Sequence, residues 1–334
     1  MSKIMNIGII GTGTITGNHI TGLGLIPEKA RIAAVCDVNL DAAKAAAAPL
    51  GVPVYSDYKE MIKNEKLDIA LICLPHFLHC PVGLDVLNSG LHLFIEKPMA
   101  ISTAECKTLI EAAKKNGKDI FVGQTHQYRS VFAKAKEMVK TGVIGELKMI
   151  VTEVIAYYNW ENRKAWFLDP KKAGGGALFN TSPHQADHLL YLVDSPITKV
   201  KASVAALRPG QVVDSDTVAF MDYANGVQGI FMVFQGTKME DPARLKIKLL
   251  GTEGTIQFNP FGNEIELAKL DKVEKIQTDP DLNPFRAEWT EFIEAIASGR
   301  RSRTDAAYGY NVVALLEAMV KSSNTRSEVS PELL

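Results

Sequence analysis

The chain has 334 residues, of which 46% are hydrophobic and 22% are charged, and its formal net charge is −1. These values predict a soluble globular protein with room for two domains of ordinary size. The even charge excludes a basic surface for nucleic acid, and the sequence has no run of about 18 apolar residues that could span a membrane.

The cysteines, Cys36, Cys73, Cys80 and Cys106, show no paired or CxxC spacing. Such spacing is typical of reduced thiols, so we expect a cytoplasmic protein. The N-terminal apolar run is only a few residues long and leads directly into a glycine turn. It therefore indicates a first strand rather than a signal peptide.

The first predicted elements are a strand, a glycine turn and a helix. Met5–Ile10 (MNIGII) reads as a buried strand, GTG forms the turn, and the helix runs to about residue 25. This order places a pyrophosphate against the free N–H groups at the helix N-terminus. The residues predicted to contact a dinucleotide here are Gly11, Gly13, Thr14 and Ile15.

Thr16 stands where the usual dinucleotide fingerprint has its third glycine, so the packing of this helix must accept a slightly larger residue. Arg31–Cys36 (RIAAVC) reads as the next strand, with Asp37 at its carboxyl end. A carboxylate there accepts hydrogen bonds from an adenosine ribose and repels a 2′-phosphate, which predicts NAD over NADP. The alternative is that Asp37 only caps the next helix.

Short apolar strands and helices then continue to alternate. Further strands are predicted at Val52–Tyr55, Ile69–Leu74, His92–Ile95 and Ile120–Gly123, and helices at Asp57–Lys63, His79–Ser89 and Thr103–Asn116. This alternation predicts right-handed crossovers and an α/β domain with a doubly wound parallel sheet. Ligands of such a sheet lie beyond the carboxyl ends of its strands.

Two loops at this expected ligand edge carry chemically active residues. Their predicted cofactor contacts are Leu74, Pro75, His79, Glu96 and Lys97. Lys97 precedes Pro98, which restricts Lys97 to extended backbone and permits a cis peptide bond; an ordinary solvated lysine is the alternative. His76 and His79 have i, i+3 spacing, but no third ligand lies nearby in the sequence, so we expect no metal site.

The polar run Gln124–Arg129 follows the last of these strands and is predicted to be the hinge between two domains, residues 1–123 and residues 124–334. His126 and Tyr128 in this run are predicted substrate contacts. Aromatic residues follow in the second domain, and aromatic rings near a polar site favour stacking on the C–H faces of sugars. Trp166 is therefore a predicted substrate contact, with core packing as the alternative.

Six runs in the second half read as strands, several of them joined by hairpin turns. They are Leu147–Tyr158, Val200–Leu207, Thr217–Asp222, Gly229–Gln235, Leu245–Leu250 and Thr255–Asn259. They predict one large, mostly antiparallel open sheet, with amphipathic helices Glu288–Ala297 and Ala306–Val320 covering a face. Because the other face also needs cover, we expect a homodimer or homotetramer built on this sheet.

The stretch Gly174–Leu190 (GGGALFNTSPHQADHLL) begins with three glycines, which mark a tightly bent or closely approached loop. Ser182 and Gln185 then match a capping box, with a proline at the first helical position. His184 falls in the first turn, where the helix dipole disfavours an imidazolium, so its ring can accept a proton while Asp187 orients it. The alternative is that His184 only helps to cap a surface helix.

With GIIGTG, Glu96-Lys97-Pro98 and GGGALFNTSPHQADHL, the chain resembles the Gfo/Idh/MocA family, the group of glucose–fructose oxidoreductase and inositol dehydrogenase. The resemblance implies an N-terminal Rossmann domain, a C-terminal α/β domain with an open sheet, and NAD(P)-dependent oxidation or reduction of a sugar or polyol. It also implies that Lys97 and His184 are the catalytic lysine and histidine. Asn180 stands where members of the inositol dehydrogenase type have Asp, and its amide can bind a hydroxyl but cannot hold a proton.

The resulting hypothesis is hydride transfer between nicotinamide and a secondary hydroxyl that Lys97, Asn180 and His184 bind. His184 removes the hydroxyl proton while the Lys97 ammonium stabilises the alkoxide-like oxygen. Two alternatives stay open, namely a redox-neutral glycosidase that retains NAD and a non-catalytic protein that senses a cofactor or sugar. A small carbohydrate or polyol is the expected partner, with neither nucleic acid nor membrane.

Overall fold

The computed structural model describes residues 3–157, 159–207, 210–235, 244–280 and 282–334. These residues form two compact units. The first unit contains the chain up to Thr125 together with Asn283–Tyr310, and the second contains His126–Leu282 together with Asn311–Leu334. The sequence predicted a single division after residue 123, whereas the structure returns a late segment of the chain to the first unit.

In the described part of the first unit, a parallel sheet of six strands forms the centre. The strands are β1 (Met5–Ile10), β2 (Ala30–Cys36), β3 (Val54–Tyr55), β4 (Ile69–Ile72), β5 (His92–Glu96) and β6 (Ile120–Gly123), in the spatial order β3-β2-β1-β4-β5-β6. Ile9 pairs with Val35 on one side and Leu71 on the other, and all three side chains are inaccessible to solvent. The strand order reverses beside β1, which confirms the predicted doubly wound arrangement.

Helices connect these strands. They are α1 (Thr16–Gly24), α2 (Leu40–Ala47), α3 (Tyr58–Asn64), α4 (His79–Asn88) and α5 (Thr103–Asn116). The side chains of Asn39, Asp57 and Ser102 cap α2, α3 and α5 by accepting hydrogen bonds from the first backbone N–H groups. No side chain caps α1, so its N-terminus differs from these three.

A mostly antiparallel sheet of eight strands organises the described part of the second unit. The strands are β7 (Leu147–Ile155), β8 (Ile197–Ala205), β9 (Asp216–Tyr223), β10 (Gln228–Phe234), β11 (Arg244–Gly251), β12 (Thr255–Phe258), β13 (Glu264–Lys269) and β14 (Lys272–Gln277). Their spatial order is β14-β13-β12-β11-β7-β10-β9-β8, and β7 and β10 run parallel. The predicted large sheet is thereby confirmed.

The prediction differed from this sheet in two places. Strand β7 is shorter than predicted and ends at Ile155, and Tyr158 lies outside the described residues. Strands β13 and β14 were missed. Strand β14 (KVEKIQ) is exposed along most of its length and lacks a clear alternation of polar and apolar residues, whereas β13 (EIELAK) does alternate and carried a signal that was overlooked.

Further helices belong to the second unit. They are α6 (Ser130–Lys140), α7 (Pro170–Ala173), α8 (Ala177–Asn180) and α9 (Pro183–Leu192). Helix α9 packs against α6 and against the sheet. The Gln185 amide donates to the carbonyl of Met232 on β10, and the Tyr223 hydroxyl of β9 donates to the carbonyl of Leu189. These bonds fix α9 on the sheet.

The last helices are α10 (Pro284–Ser298) and α11 (Ala306–Thr325). The prediction that both cover a face of the large sheet is wrong for α10, which packs against α1 in the first unit. Helix α10 can pack closely on α1 because α1 has a glycine, Gly22, where it meets Phe285. Sequence periodicity identified an apolar face on α10 but not the surface that it covers.

Helix α11 begins in the first unit and ends in the second. Near its end the hydroxyls of Ser322 and Ser323 accept hydrogen bonds from the backbone N–H groups of Ala202 and Val204 on the edge strand β8. The helix thus satisfies part of a sheet edge that would otherwise stay open. Neither α11 nor any other helix in the described ranges combines the length and the apolar character that a membrane span needs.

Apolar side chains lie exposed on strand β9 of the second unit. Val218 is 54% and Phe220 is 40% exposed, and both belong to β9. Their exposure agrees with the reason given for the predicted oligomer, that one sheet face needs cover. The assembly itself stays a prediction.

Replacing Gly22 with alanine should destabilise the first unit, because the added Cβ would lie 2.7 Å from the Cβ of Phe285 and 2.9 Å from the backbone N of Arg286. Overpacking of this kind costs about 1–3 kcal/mol. Gly24→Ala in the same helix is the matched control, since nothing lies within 4 Å of its added methyl group. Thermal unfolding of the two variants checks this, and equal midpoints would contradict tight packing of α1 on α10.

Candidate active site

The glycine turn before α1 is held by backbone contacts that leave no room for a side chain at Gly11. Gly11 has a φ of 96°, and its N–H donates to the carbonyl of Cys36 over 2.8 Å. A Cβ on Gly11 would lie 2.4 Å from the carbonyl oxygen of Cys73. The hydroxyl of Thr16 donates to the carbonyl of Gly11, so the residue that replaces the usual third glycine closes the turn from inside.

The start of α1 is suited to an anion. Gly13 and Thr14 are exposed, Ile15 occupies the N-cap position, and its side chain caps nothing. An added Cβ at Gly13 would meet only the Cys73 carbonyl, at 3.8 Å, so the space over the turn is open. The positive end of the helix dipole attracts a phosphate at such a place. The residues therefore fit the pyrophosphate of a dinucleotide.

Asp37 lies at the carboxyl end of β2 and is bound to the glycine turn. Its Oδ2 accepts hydrogen bonds from the backbone N–H of Thr12, at 2.7 Å, and from the hydroxyl of Thr12, at 2.8 Å. Its Oδ1 accepts one from the backbone N–H of Asn39. Asn39, not Asp37, caps α2, so the capping alternative is wrong. A carboxylate only accepts hydrogen bonds, so Asp37 is a suitable partner for the hydroxyl groups of a ribose.

Glu96 is a buried carboxylate at the end of β5, next to Lys97. Its Oε1 lies 2.8 Å from Nε2 of His19, and its Oε2 accepts a hydrogen bond from the backbone N–H of Lys97 at 3.1 Å. The indole N–H of Trp289 donates to Nδ1 of His19 at 3.2 Å. Because an indole can only donate, Nδ1 of His19 is the acceptor and Nε2 carries the hydrogen that reaches Glu96. His19 and Trp289 were missed from the sequence.

These contacts favour a negative charge on Glu96, next to Lys97. Burial alone would raise the pKa of Glu96, but the hydrogen bond from His19 and the positive charge of Lys97 lower it, so Glu96 is an anion. Burial lowers the pKa of Lys97, and the Glu96 carboxylate opposes that change. The neighbouring strand leaves space for the carboxylate, since a Cβ on Gly123 would lie 2.8 Å from Oε1 of Glu96. The peptide bond between Lys97 and Pro98 is cis, as its sequence permitted.

His79 joins the two loops at the ligand edge. Its ring is fully buried, with Nδ1 2.7 Å from the carbonyl oxygen of Pro98 and Nε2 2.9 Å from that of Leu74. Burial lowers the pKa of His79. The structure thus gives His79 the task of fixing the segments that carry Leu74, Pro75 and Lys97. In the described part of the chain, no three His, Cys, Asp or Glu side chains are grouped as metal ligands.

The three-glycine loop of the second unit closes around Asp214. The carboxylate of Asp214 accepts hydrogen bonds from the backbone N–H of Gly176, at 2.6 Å, and of Leu178, at 2.7 Å. Its own carbonyl accepts one from Ala177. A Cβ on Gly176 would lie 1.9 Å from that carbonyl oxygen, so only glycine fits there. Asp214 thereby anchors α8, whose last residue is Asn180.

The predicted capping box at Ser182 is wrong, although the helix begins where expected. The Ser182 hydroxyl donates back to the carbonyl of Ala177, and the Gln185 amide donates to Met232 on the sheet. Because Ser182 is bonded to helix α8 and Gln185 is bonded to the sheet, neither side chain is available for the cap. Pro183 does occupy the first helical position, and His184 therefore lies in the first turn of α9.

Three histidine rings form a cluster in the second unit. His126 stacks face to face on His184, with ring centroids 4.0 Å apart and an interplanar angle of 5°. Nδ1 of His126 also lies 2.8 Å from Nε2 of His188, one helical turn further along α9. His126 and His188 are buried, while His184 is partly exposed. Burial lowers the pKa of His188 to about 3, so that ring is neutral at physiological pH.

The remaining predicted residues of the second unit lie as follows. Asp187 is buried, and its Oδ1 accepts a hydrogen bond from the amide of Gln127 at 2.7 Å, a partner that the sequence did not identify. Tyr128 is 5% exposed. Trp166 stacks on Phe167 at 3.7 Å in a separate short helical turn and is partly exposed.

Models of known protein families match the N-terminal and the C-terminal part of the chain. The profile described as "Oxidoreductase family, NAD-binding Rossmann fold" matches residues 5–124, and the profile described as "GFO/IDH/MocA C-terminal domain" matches residues 132–257. The chain belongs to the Gfo/Idh/MocA family. It is accordingly an oxidoreductase with an NAD-binding Rossmann domain, and the resemblance read from its motifs is confirmed.

Relatives of this Gfo/Idh/MocA protein include several dehydrogenases. Inositol 2-dehydrogenase of Salmonella typhimurium is 24% identical over 347 residues, with 98% of this chain and 97% of that protein covered. Myo-inositol 2-dehydrogenase of Thermotoga maritima is 28% identical over 231 residues, which are 68% of this chain and 67% of that protein. A solved levoglucosan dehydrogenase, in complex with NADH and L-sorbose, has the same fold, with a TM-score of 0.91, 22% identity and full coverage of both chains.

The neutral, buried His188 should make the stability of this family member depend on pH. Its pKa of about 3 lies below the ordinary value of 6.5, so the unfolded chain takes up the proton first as the pH falls. Stability is therefore lost as the pH falls from about 6.5 towards 3, by about 2 kcal/mol at pH 5. His188→Gln should flatten the fall of the thermal midpoint between about pH 7 and pH 5.

Thr152→Val is the matched control for this measurement. The Thr152 hydroxyl lies 3.4 Å from Nδ1 of His188, so the change disturbs the same spot without removing a titrating group. The control should keep the pH dependence of the wild type. The interpretation is wrong if His188→Gln also keeps it.

Proposed function

We propose that the protein is an NAD-dependent dehydrogenase or reductase that acts on a secondary hydroxyl, or the corresponding ketone, of a sugar or polyol. The observation that carries this proposal is His184, a partly exposed imidazole in the first turn of α9 whose neighbours in the histidine cluster are buried. The relatives named inositol and levoglucosan dehydrogenases support a substrate with several hydroxyl groups.

The proposed cofactor is NAD rather than NADP. The uncapped N-terminus of α1 suits the pyrophosphate, and the Asp37 carboxylate suits a ribose diol. A 2′-phosphate would place negative charge against that carboxylate, which the bonds from Thr12 hold in position. When bound, NAD supplies the hydride acceptor of the oxidation.

The proposed base is His184. Oxidation of a secondary alcohol releases a proton from the hydroxyl oxygen as the carbon gives up hydride, so the reaction needs a neutral base at that oxygen. The positive end of the α9 dipole disfavours an imidazolium at His184 and thereby keeps the ring ready to accept the proton. In the reverse direction the same ring returns the proton to the oxygen.

The proposed electrophile is Lys97. Its ammonium group stabilises the negative charge that develops on the substrate oxygen, and the buried Glu96 anion favours the charged form of the lysine. Asn180 binds a hydroxyl of the substrate through its amide, since an amide can donate and accept but holds no proton.

His184→Ala should lower kcat by about 10²- to 10⁴-fold, because general-base help is worth that much, while NAD affinity stays nearly unchanged. Lys97→Met should lower kcat by about 10²- to 10³-fold. If both groups act on one oxygen in one step, the double variant should be only slightly slower than the slower single variant. The measurement is NADH formation with a panel of sugars, inositols and sugar acids.

Lys114→Met, at an exposed position of α5, is the control for loss of a positive charge and should leave turnover unchanged. Unchanged turnover in His184→Ala would remove that residue from the mechanism. Strictly multiplicative losses in the double variant would show that the two residues contribute independently and not as one unit.

Asp37→Ala should lower the preference for NAD over NADP by about tenfold or more, since a like-charge contact costs several kcal/mol and each 1.4 kcal/mol is tenfold. The preference is the ratio of kcat/KM for the two cofactors. Asp41→Ala removes an exposed carboxylate from the next helix and serves as the matched control. Equal effects of the two changes would mean that general charge, not contact with the ribose, sets the preference.

A further inference from the structure

His126 bridges two histidines that stand one turn apart on α9. It meets His184 face to face, with ring centroids 4.0 Å apart, and it meets His188 edge to edge, with 2.8 Å between Nδ1 and Nε2. Phe132 of α6 and Phe261 pack around it, with ring centroids at 6.0 and 4.9 Å. The plane and position of the His126 ring are therefore determined from several sides.

The short distance between the His126 and His184 rings makes it unfavourable for both to be protonated at once. Two imidazolium rings 4.0 Å apart repel each other strongly enough to separate their protonation steps by about three pH units at an effective dielectric constant near 20. His126 and His184 consequently titrate as a coupled pair, in which the first proton discourages the second. A buried, neutral His188 does not compete for that proton.

Two contacts favour the first proton on His126 over His184, and they oppose the burial of His126, which is 6% exposed. Nδ1 of His126 can donate to Nε2 of His188, whose other nitrogen lies 3.4 Å from the Thr152 hydroxyl, and this bond is stronger when His126 is protonated. His184 instead stands in the first turn of α9, where the helix dipole opposes a positive charge.

Two side chains of opposite charge lie near the cluster. The Arg129 guanidinium lies 4.9 Å from the Phe261 ring, and the Asp187 carboxylate, which Gln127 holds, lies on α9 between the two histidines. The contacts from α6 and β7 come from uncharged groups, Phe132 and Thr152.

We propose that His126 is a positioning residue for the reaction: its stacked ring fixes the plane of His184, and by taking the first proton it keeps His184 neutral into mildly acidic solution. This inference rests on the proposed function, since it assigns His184 the role of base. It predicts an enzyme that stays active at lower pH than a solitary histidine base would permit. His126 itself need not touch the substrate for this effect.

The test uses His126→Phe, which keeps a flat ring on His184 but removes the proton, and His126→Asn, which keeps an N–H donor near His188 but removes the stacked ring. Phe132→Leu is the matched control, because it alters packing against the same rings without removing a titrating group. Two readouts are measured on the full-length protein. One is the acid limb of kcat/KM against pH, and the other is the NMR titration of the 13C-labelled imidazole of His184 without substrate.

In His126→Phe the His184 resonance should titrate at a pH higher by about one unit or more than in the wild type, and the acid limb should move up with it. His126→Asn should give the same shift together with a lower kcat, because the ring of His184 loses its stacking partner. Phe132→Leu should move neither readout.

An unchanged His184 titration in both His126 variants would overturn the inference, whatever happens to the rate. If the NMR titration shifts but the acid limb of kcat/KM stays in place, the coupling of the rings is supported and His184 is not the base, so the proposed function fails instead. The NMR readout needs no turnover and therefore separates the two failures.

Discussion

A carboxylate withdrawn from water organises the reactive segment of the first unit. Glu96 is 7% exposed, and such a charge is tolerated only where hydrogen bonds replace water. His19 provides one of these bonds, and the backbone N–H of Lys97 provides another. The carboxylate also needs the absence of a side chain at Gly123 on the neighbouring strand. Removal of any of these partners would leave a buried charge beside the lysine that the proposed reaction uses.

The second unit uses the same physical device at a different place. Asp214 binds the backbone N–H groups of Gly176 and Leu178, and the loop can approach it only because Gly176 has no Cβ. Burial raises the pKa of Asp214, and the two N–H bonds oppose that change. The loop leads into α8 and then into the first turn of α9, so its anchor also sets the start of the helix that carries His184. In both units a carboxylate accepts hydrogen bonds from backbone N–H groups, and the side chain proposed to react lies on or after the segment that these bonds fix.

Features that depend on neighbouring residues were predictable from the sequence, and features that depend on distant partners were not. The extent of β1 and α5, the turn at Gly11 and the place of His184 follow from local patterns, and the structure has them where they were expected. The capping box failed because Ser182 and Gln185 found partners outside their own turn. His19 was missed because its partner Glu96 lies 77 positions away and Trp289 lies 270 positions away, distances over which no periodicity or spacing rule operates.

By itself the sequence determined the fold class, the dinucleotide-binding order of strand, glycine turn and helix, and the family, because these depend on periodicity and on residue types at fixed short spacings. Only the tertiary structure decided that α10 packs in the first unit, that Asp37 binds Thr12 while Asn39 caps the helix, and that His126 lies against His184 and His188. Each of these is a choice among partners of similar chemistry. Local sequence cannot make that choice, because the free energy that decides it comes from packing and hydrogen bonds between segments that meet only in the folded chain.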